Sequence, residues 1–346
     1  MTPVTPVTPV TPVTPVTPVT PVVPVVPDPP LEPGLPLVAG AISRLGSPGA
    51  YSFAYAISDG GAVVGTGAGS HPYNTAFIWT STGGMRDLGV LPSSAYSFAT
   101  DVNSAGQVVG GSGVQTKDGV SLRAFYWSAE TGMKDLGTLG GSFGTAMGIN
   151  DSGQVVGSSE LANGSQHAFL WTKDAGMMDL GVLPGGYFSN AIAINNSGVV
   201  VGTVSSPGGN TWSFVWTRAG GMQALPGLPG GDTHASAIND AGLIGGMSLT
   251  TAGAYHAVIW QNRQVRDIGS LGGRATYVRA ISASGDVFGE SDPPGAEWKQ
   301  HAFVWTEGIG MRDLYPTTGL TTIFGVNRQL QVTGDSLVVV LRRAAN

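Results

Sequence analysis

Three histidines, His167, His256 and His301, fall at one position of a recurring pattern, and five aspartates, Asp87, Asp135, Asp179, Asp267 and Asp313, fall at another. Histidine with carboxylate is the raw material of a metal site or of acid–base chemistry. Their periodicity argues against both uses. A metal needs its ligands within about 2 Å of one point, whereas equivalent positions of a repeat are carried to separate places by the repeat itself. A catalytic acid should be singular, and these acids recur. The histidines are therefore read as hydrogen-bonded structural groups, one within each unit, and the aspartates as turn or hairpin anchors, with Arg44 and Ala224 replacing them in two units. Asn103, Asn150, Asn195 and Asn239 are read as turn formers. No Gly-rich phosphate loop, G-x-S-x-G elbow or H-E-x-x-H stands in the chain, so neither a cofactor nor a resident metal is expected.

The elements that carry these residues repeat about every 45 positions. Trp79, Trp127, Trp171, Trp216, Trp260 and Trp305 are spaced by 48, 44, 45, 44 and 45 residues. Each closes an apolar run such as TAFIWT or HAFLWT and is followed by a short loop and a run such as GMRDLG. Upstream lies a second hallmark, A-x-x-I-N-x-x-G-x-V-V-G, whose last glycine falls at Gly65, Gly110, Gly157, Gly202, Gly246, Gly289 and Gly334. Periods of this length signal propeller blades or arrays.

Each unit divides into four short runs, A to D, separated by Gly, Asn, Asp, Ser and Pro, which is the pattern of strands joined by tight turns. In the third unit the runs are 144–150, 154–158, 167–172 and 176–181. The two ends are complementary: residues 321–342 supply A, B and C runs without a D, and residues 41–46 supply a D run with nothing before it. Pairing the first run with the last closes a seven-bladed all-β propeller and leaves no exposed edge. The repeated aromatic residues then pack between blades, and replacing Trp171 by Ala is expected to cost roughly 3–5 kcal/mol.

Ahead of the propeller, residues 1–36 form a low-complexity stalk in which Thr-Pro-Val recurs seven times. Proline at every third position fixes φ and removes the backbone donor, so polyproline II is the expected conformation, a spacer of about 3.1 Å per residue. Two domains result, the stalk at 1–36 and the propeller at 37–346.

Composition narrows the function. Sixteen basic residues against twenty-two acidic ones give a net charge of -6, spread without blocks. No cationic surface is available to neutralise phosphates, so nucleic acid is not an expected partner. No run approaches the roughly 20 apolar residues that span a bilayer, and membrane insertion is not expected. Cysteine is absent, which removes disulfides and thiol chemistry. The amino terminus shows no secretory signal pattern. With 54 glycines and 42% apolar residues in 346, the chain has both the turns and the core of a monomeric all-β propeller.

At His-Ala-Phe-Leu-Trp, residues 167–171, and its copies, the chain resembles the bacterial HAF-repeat family of extracellular repeat proteins. The resemblance spans nearly all of residues 41–342. It implies an extracellular or cell-surface location and no established reaction. The chain departs from the pattern where Thr75, Arg123 and Ser213 replace the histidine, and where the last unit lacks the tryptophan.

Function should lie where the repeats differ. The A–B and C–D connections are short and uniform, while B–C and D–A vary and open on the same face. Tyr51, Tyr73, Tyr96, Tyr187, Trp212, His234, Tyr277 and Trp298 stand on that variable face as candidate ligand contacts. Trp212 and Trp298 are the tryptophans outside the repeat register. Aromatic side chains on loops held by a rigid scaffold are recognition anchors for glycans or proteins. The expected function is accordingly non-catalytic binding of a glycan or an extracellular protein. Two other readings stay open: a propeller-based polysaccharide lyase or hydrolase using singular acids such as Asp232, Asp292 or Glu297, and a structural spacer without a ligand.

Overall fold

The computed structural model describes residues 37–45, 52–69, 71, 73–116, 119–296, 299–334 and 337–343. The stalk, Tyr51 and Trp298 lie outside the described residues, as do Lys117, Asp118 and Glu297.

Seven four-stranded antiparallel sheets form the seven blades of a β-propeller, six of them in simple A-B-C-D order. In the third blade the strands are Gly140–Ile149, Val155–Leu161, Gln166–Thr172 and Gly176–Asp179. The seventh blade is built from both ends of the chain. Strand Leu37–Arg44 pairs antiparallel with Leu337–Arg343 through six register pairs from Leu37↔Arg343 to Arg44↔Leu337, and so supplies strand D. That strand begins four residues before the 41–46 run, because the pairing extends upstream past an irregularity between Ala39 and Ile42. Strand A of the same blade is reduced to Gly325–Val326. A four-residue helix, Tyr315–Thr318, started by a proline and ended by Gly319 in the left-handed region, joins it to the sixth blade.

The invariant glycine of strand B has a steric cause. In six blades strand A is bulged, with the register shift falling between residues such as Ala146 and Gly148. The distortion turns a strand-A carbonyl against strand B. A Cβ on Gly157 would collide with the carbonyl oxygen of Thr145 and press on the Phe169 ring at 3.0 Å, and each of the other six copies meets the corresponding backbone carbonyl. Gly157→Ala should therefore lower stability by about 1–3 kcal/mol, as overpacked sites do. Gly208→Ala, in a loop where the nearest atom to a new Cβ is 3.8 Å away, should leave the denaturation midpoint unchanged. Equal midpoints for the two variants would refute this account of the repeat.

Blades are joined by apolar layers and by buried polar threads. Leu170 and Ala168 of the third blade pack with Ala191, Val200, Phe214 and Trp216 of the fourth. Ser189, at the start of a strand A, accepts the N–H of Ala168 at 2.8 Å and donates to Gly181 O at 2.6 Å, both in the preceding blade. The turn asparagines do more than shape turns. Asn150 Oδ1 accepts the N–H groups of Ser152 and Gln154, while its Nδ2 donates to Asn195 O of the next blade at 3.1 Å. Asn103, Asn195, Asn239 and Asn327 make the same step, and Asn327 donates to Ser58 O across the closure.

The repeat tryptophans differ in burial. Trp260 is fully buried, whereas Trp171 is only half-buried and lies against Tyr126 at 6.0 Å. The 3–5 kcal/mol expected for Trp171 thus belongs to Trp260, because the cavity term requires complete enclosure.

Candidate functional site

The periodic histidines and aspartates pair within their own blades. His167 Nδ1 lies 2.9 Å from Asp179, His256 Nδ1 2.9 Å from Asp267, and His301 Nδ1 2.7 Å from Asp313. Each aspartate also accepts a backbone N–H two residues on, as Gly181 donates to Asp179 at 2.7 Å and Tyr315 to Asp313 at 2.9 Å. Among the described residues no group of three or more metal-ligating side chains converges.

On the variable face, two of the candidates come together. Tyr73, just before strand C in the first blade, and Tyr96, at the start of strand A in the second, line one open cleft of about 490 Å³ with Tyr55, Thr66, Asn74, Ser97 and Phe98. Tyr73 is 63% exposed, while burial pushes the phenols of Tyr55 and Tyr96 above the ordinary tyrosine range. The cleft is thus walled by aromatic rings of graded depth, with an amide and hydroxyls between them. The described residues lining it include no carboxylate.

Tyr55 also meets Phe324 of the seventh blade edge-on, with centroids 5.6 Å apart. Arg279 lies over Phe324 at 5.8 Å and over Tyr277 at 5.4 Å, and pairs at 3.0 Å with Glu290, which is buried. Tyr277 therefore belongs to an aromatic–cation group on the innermost strands, continuous with the cleft through Tyr55. His234, whose pKa burial holds below its ordinary value, lies 6.0 Å from the Tyr255 ring. The remaining candidates stand apart. Tyr187 is 49% exposed and packs edge-on against Phe188. Trp212 is half-buried against the apolar layer between the third and fourth blades.

Of the singular acids, Asp292 is buried, and Asp232 accepts the N–H of Thr211 at 3.2 Å and faces Tyr255 Oη at 3.5 Å. Glu160 clasps the start of strand A by accepting from Ser142 and Phe143, which lowers its pKa. Asp101 was not singled out in the sequence. Burial raises its carboxyl to about 7 although Val102 and Ile149 both donate backbone N–H groups to it. It fills a strand-A position that is Ala56, Gly148 or Ala193 elsewhere, and clips the second blade to the third.

Tyr55 and Phe98 were also missed, because they lie on strands rather than loops. A column-by-column comparison of units would have exposed Tyr55. Its position reads Tyr55, Thr100, Met147, Ile192, Ser236, Arg279 and Phe324, while the position before it is Ala in five units, Val278 in the sixth and Ile323 in the seventh.

No family model and no curated protein sequence matches the chain. Solved structures do match. The β-propeller domain of the Trilobed protease from Pyrococcus furiosus aligns over 86% of this chain and 99% of its own, at 12% identity and a TM-score of 0.53. A chain of the mitotic checkpoint complex aligns over 89% and 95%, at 11% identity and a TM-score of 0.51. TolB from Acinetobacter baumannii aligns at 13% identity and a TM-score of 0.45 over 75% of this chain, which spans 62% of TolB's length. The first two likenesses support the propeller fold and nothing finer. The Pyrococcus propeller is described as having an open velcro topology, whereas strand Leu37–Arg44 closes this ring.

Proposed function

We propose that this protein is a non-catalytic binding module of the cell exterior that holds a glycan on the variable face of the propeller, in the cleft between its first and second blades. The observation that carries this reading is the cleft itself. Its volume of about 490 Å³ lies in the ~300–1,000 Å³ range of small-ligand sites. Pyranose rings present an apolar C–H face and a hydroxyl edge, and the cleft offers Tyr73, Tyr96 and Phe98 for the first and Asn74 and Thr66 for the second. The extracellular location and the kinship with HAF-repeat proteins are part of this proposal, resting on the repeated His-Ala-Phe-Leu-Trp segment. No helix among the described residues is long and apolar enough to cross a membrane.

A hydrolase needs two carboxyls roughly 5–10 Å apart; that the cleft's described lining holds none favours binding over cleavage. On a glycan array, Tyr73→Ala combined with Tyr96→Ala should weaken the best wild-type signal at least ~10-fold, since each lost aromatic contact is worth on the order of 1 kcal/mol. Trp212→Ala should lower the melting temperature and leave that signal in place. Undiminished binding by the tyrosine double variant would remove the cleft from consideration, and release of shorter products from a polymer would establish an enzyme instead.

A further inference from the structure

In five blades a methionine of strand D lies directly across the ladder from the repeat tryptophan of strand C. The register pairs are Trp79↔Met85, Trp127↔Met133, Trp171↔Met177, Trp216↔Met222 and Trp305↔Met311. Directly opposed residues share one face of a sheet, and each methionine packs in the same apolar cluster as its own indole. All five methionines are half-buried, so none is sealed from water. The fifth blade departs from this pattern, with Val265 across from Trp260. Trp260 is also the repeat indole with 0% exposure, whereas Trp127, Trp216 and Trp305 keep between 5% and 7% and Trp79 and Trp171 are half-buried. Sulphur thus faces every repeat indole that reaches solvent and is absent where the indole is enclosed. Gap filling by a flexible thioether does not account for this, since it would serve the enclosed site as well.

We propose that these five methionines are oxidation sites that guard the tryptophans between blades, taking up two-electron oxidants before the indoles do. In each event the sulphur lone pair takes the oxygen of hydrogen peroxide or hypochlorous acid. The O–O or O–Cl bond breaks, the sulphur is oxidised by two electrons to the sulfoxide, and water, or chloride with a proton, leaves. The position in the fold makes this product tolerable. Strand D is the edge strand of its sheet, so a polar sulfoxide on a half-buried side chain turns toward water, whereas an oxidised indole would set a new polar group in the apolar layer that joins two blades. No thiol competes for the oxidant, because the chain has no cysteine. The guard stands on the outer hairpins and does not depend on what the tyrosine cleft binds.

Titration of the full chain with hypochlorous acid, read by peptide mass spectrometry, tests the assignment. In the wild type Met85, Met133, Met177, Met222 and Met311 should gain oxygen before any repeat indole does, and the melting transition should stay cooperative. Replacing every methionine by norleucine, which keeps the length of the side chain and removes the sulphur, should speed oxidation of Trp79 and Trp171 several-fold and leave Trp260 unchanged. Met177→Leu, a volume-conserving change, should do the same for Trp171 alone. Met178→Leu is the control: Met178 is more exposed than Met177 but stands opposite Leu170, and its loss should leave Trp171 oxidation as it was. Indoles oxidised ahead of the methionines, or equal Trp171 oxidation in the wild type and the norleucine protein, would overturn the proposal. Acceleration by Met178→Leu equal to that by Met177→Leu would mean bulk scavenging and overturn it equally.

Discussion

Removing residues 1–45 should abolish cooperative folding, whereas removing residues 1–36 should leave the melting curve unchanged. The nine residues between the two cuts carry strand Leu37–Arg44 and Leu45, which is 5% exposed and packs with Ala54, Val63, Phe77 and Val338. Loss of the strand breaks six register pairs. At a net ~0.5–1.5 kcal/mol per backbone hydrogen bond, with ~1.5–3 kcal/mol for the buried leucine, the loss is on the order of 5 kcal/mol, comparable to the whole stability of many domains. It also leaves strand Leu337–Arg343 with an open edge, a template for pairing with other chains. Size exclusion with light scattering should show oligomers for the shorter chain, and a synthetic peptide of residues 37–45 added in trans should reduce them. A truncated 46–346 chain that melts like the full protein would mean that the ring does not depend on its closure.

Trp260→Ala is the second large effect, at about 3–5 kcal/mol. Trp260 is fully enclosed among Val201, Leu225, Ala235, Ile244 and Val258, which come from the fourth and fifth blades. Its indole Nε1 donates to Pro226 O at 2.6 Å, so truncation leaves both a cavity and an unpaired carbonyl. Denaturant unfolding should place Trp260→Ala well below Trp171→Ala, since Trp171 keeps part of its surface in water in the folded state. Trp260→Phe, which retains most of the packing but removes the donor, should fall between them. If Trp171→Ala proves the more damaging, burial is not what ranks the repeat tryptophans.

The architecture was legible in the chain because a blade is a local object. The runs ending in Trp171, the Asn150 turn and the glycine at Gly157 mark strands and hairpins by spacing alone, and the split seventh unit announced the closure. The histidines were readable as hydrogen-bonded within their own blades for the same reason, but that their partners are the periodic aspartates, read as turn anchors, came from the structure. Strand limits were less legible. In the third blade strand A begins at Gly140 rather than 144, since pairing with Val155–Leu161 extends into the loop.

The site was legible only in part. Loop position pointed to Tyr73 and Tyr96 but could not say that they share one cleft while Tyr187 and Trp212 do not. Tyr55, Phe98 and Asp101 were hidden because they lie on strands and meet residues of other blades, as Asp101 meets Ile149 and Tyr55 meets Phe324 at the far end of the propeller sequence.

From the order of its residues alone this protein is determined as seven repeats of four strands, with the number of blades and the closure, because those depend on contacts within one hairpin or between similar units. Tertiary structure decided which aromatic rings meet and which tryptophan is sealed from water. Each of those depends on how far one blade is rotated against the next, a distance that no single repeat encodes.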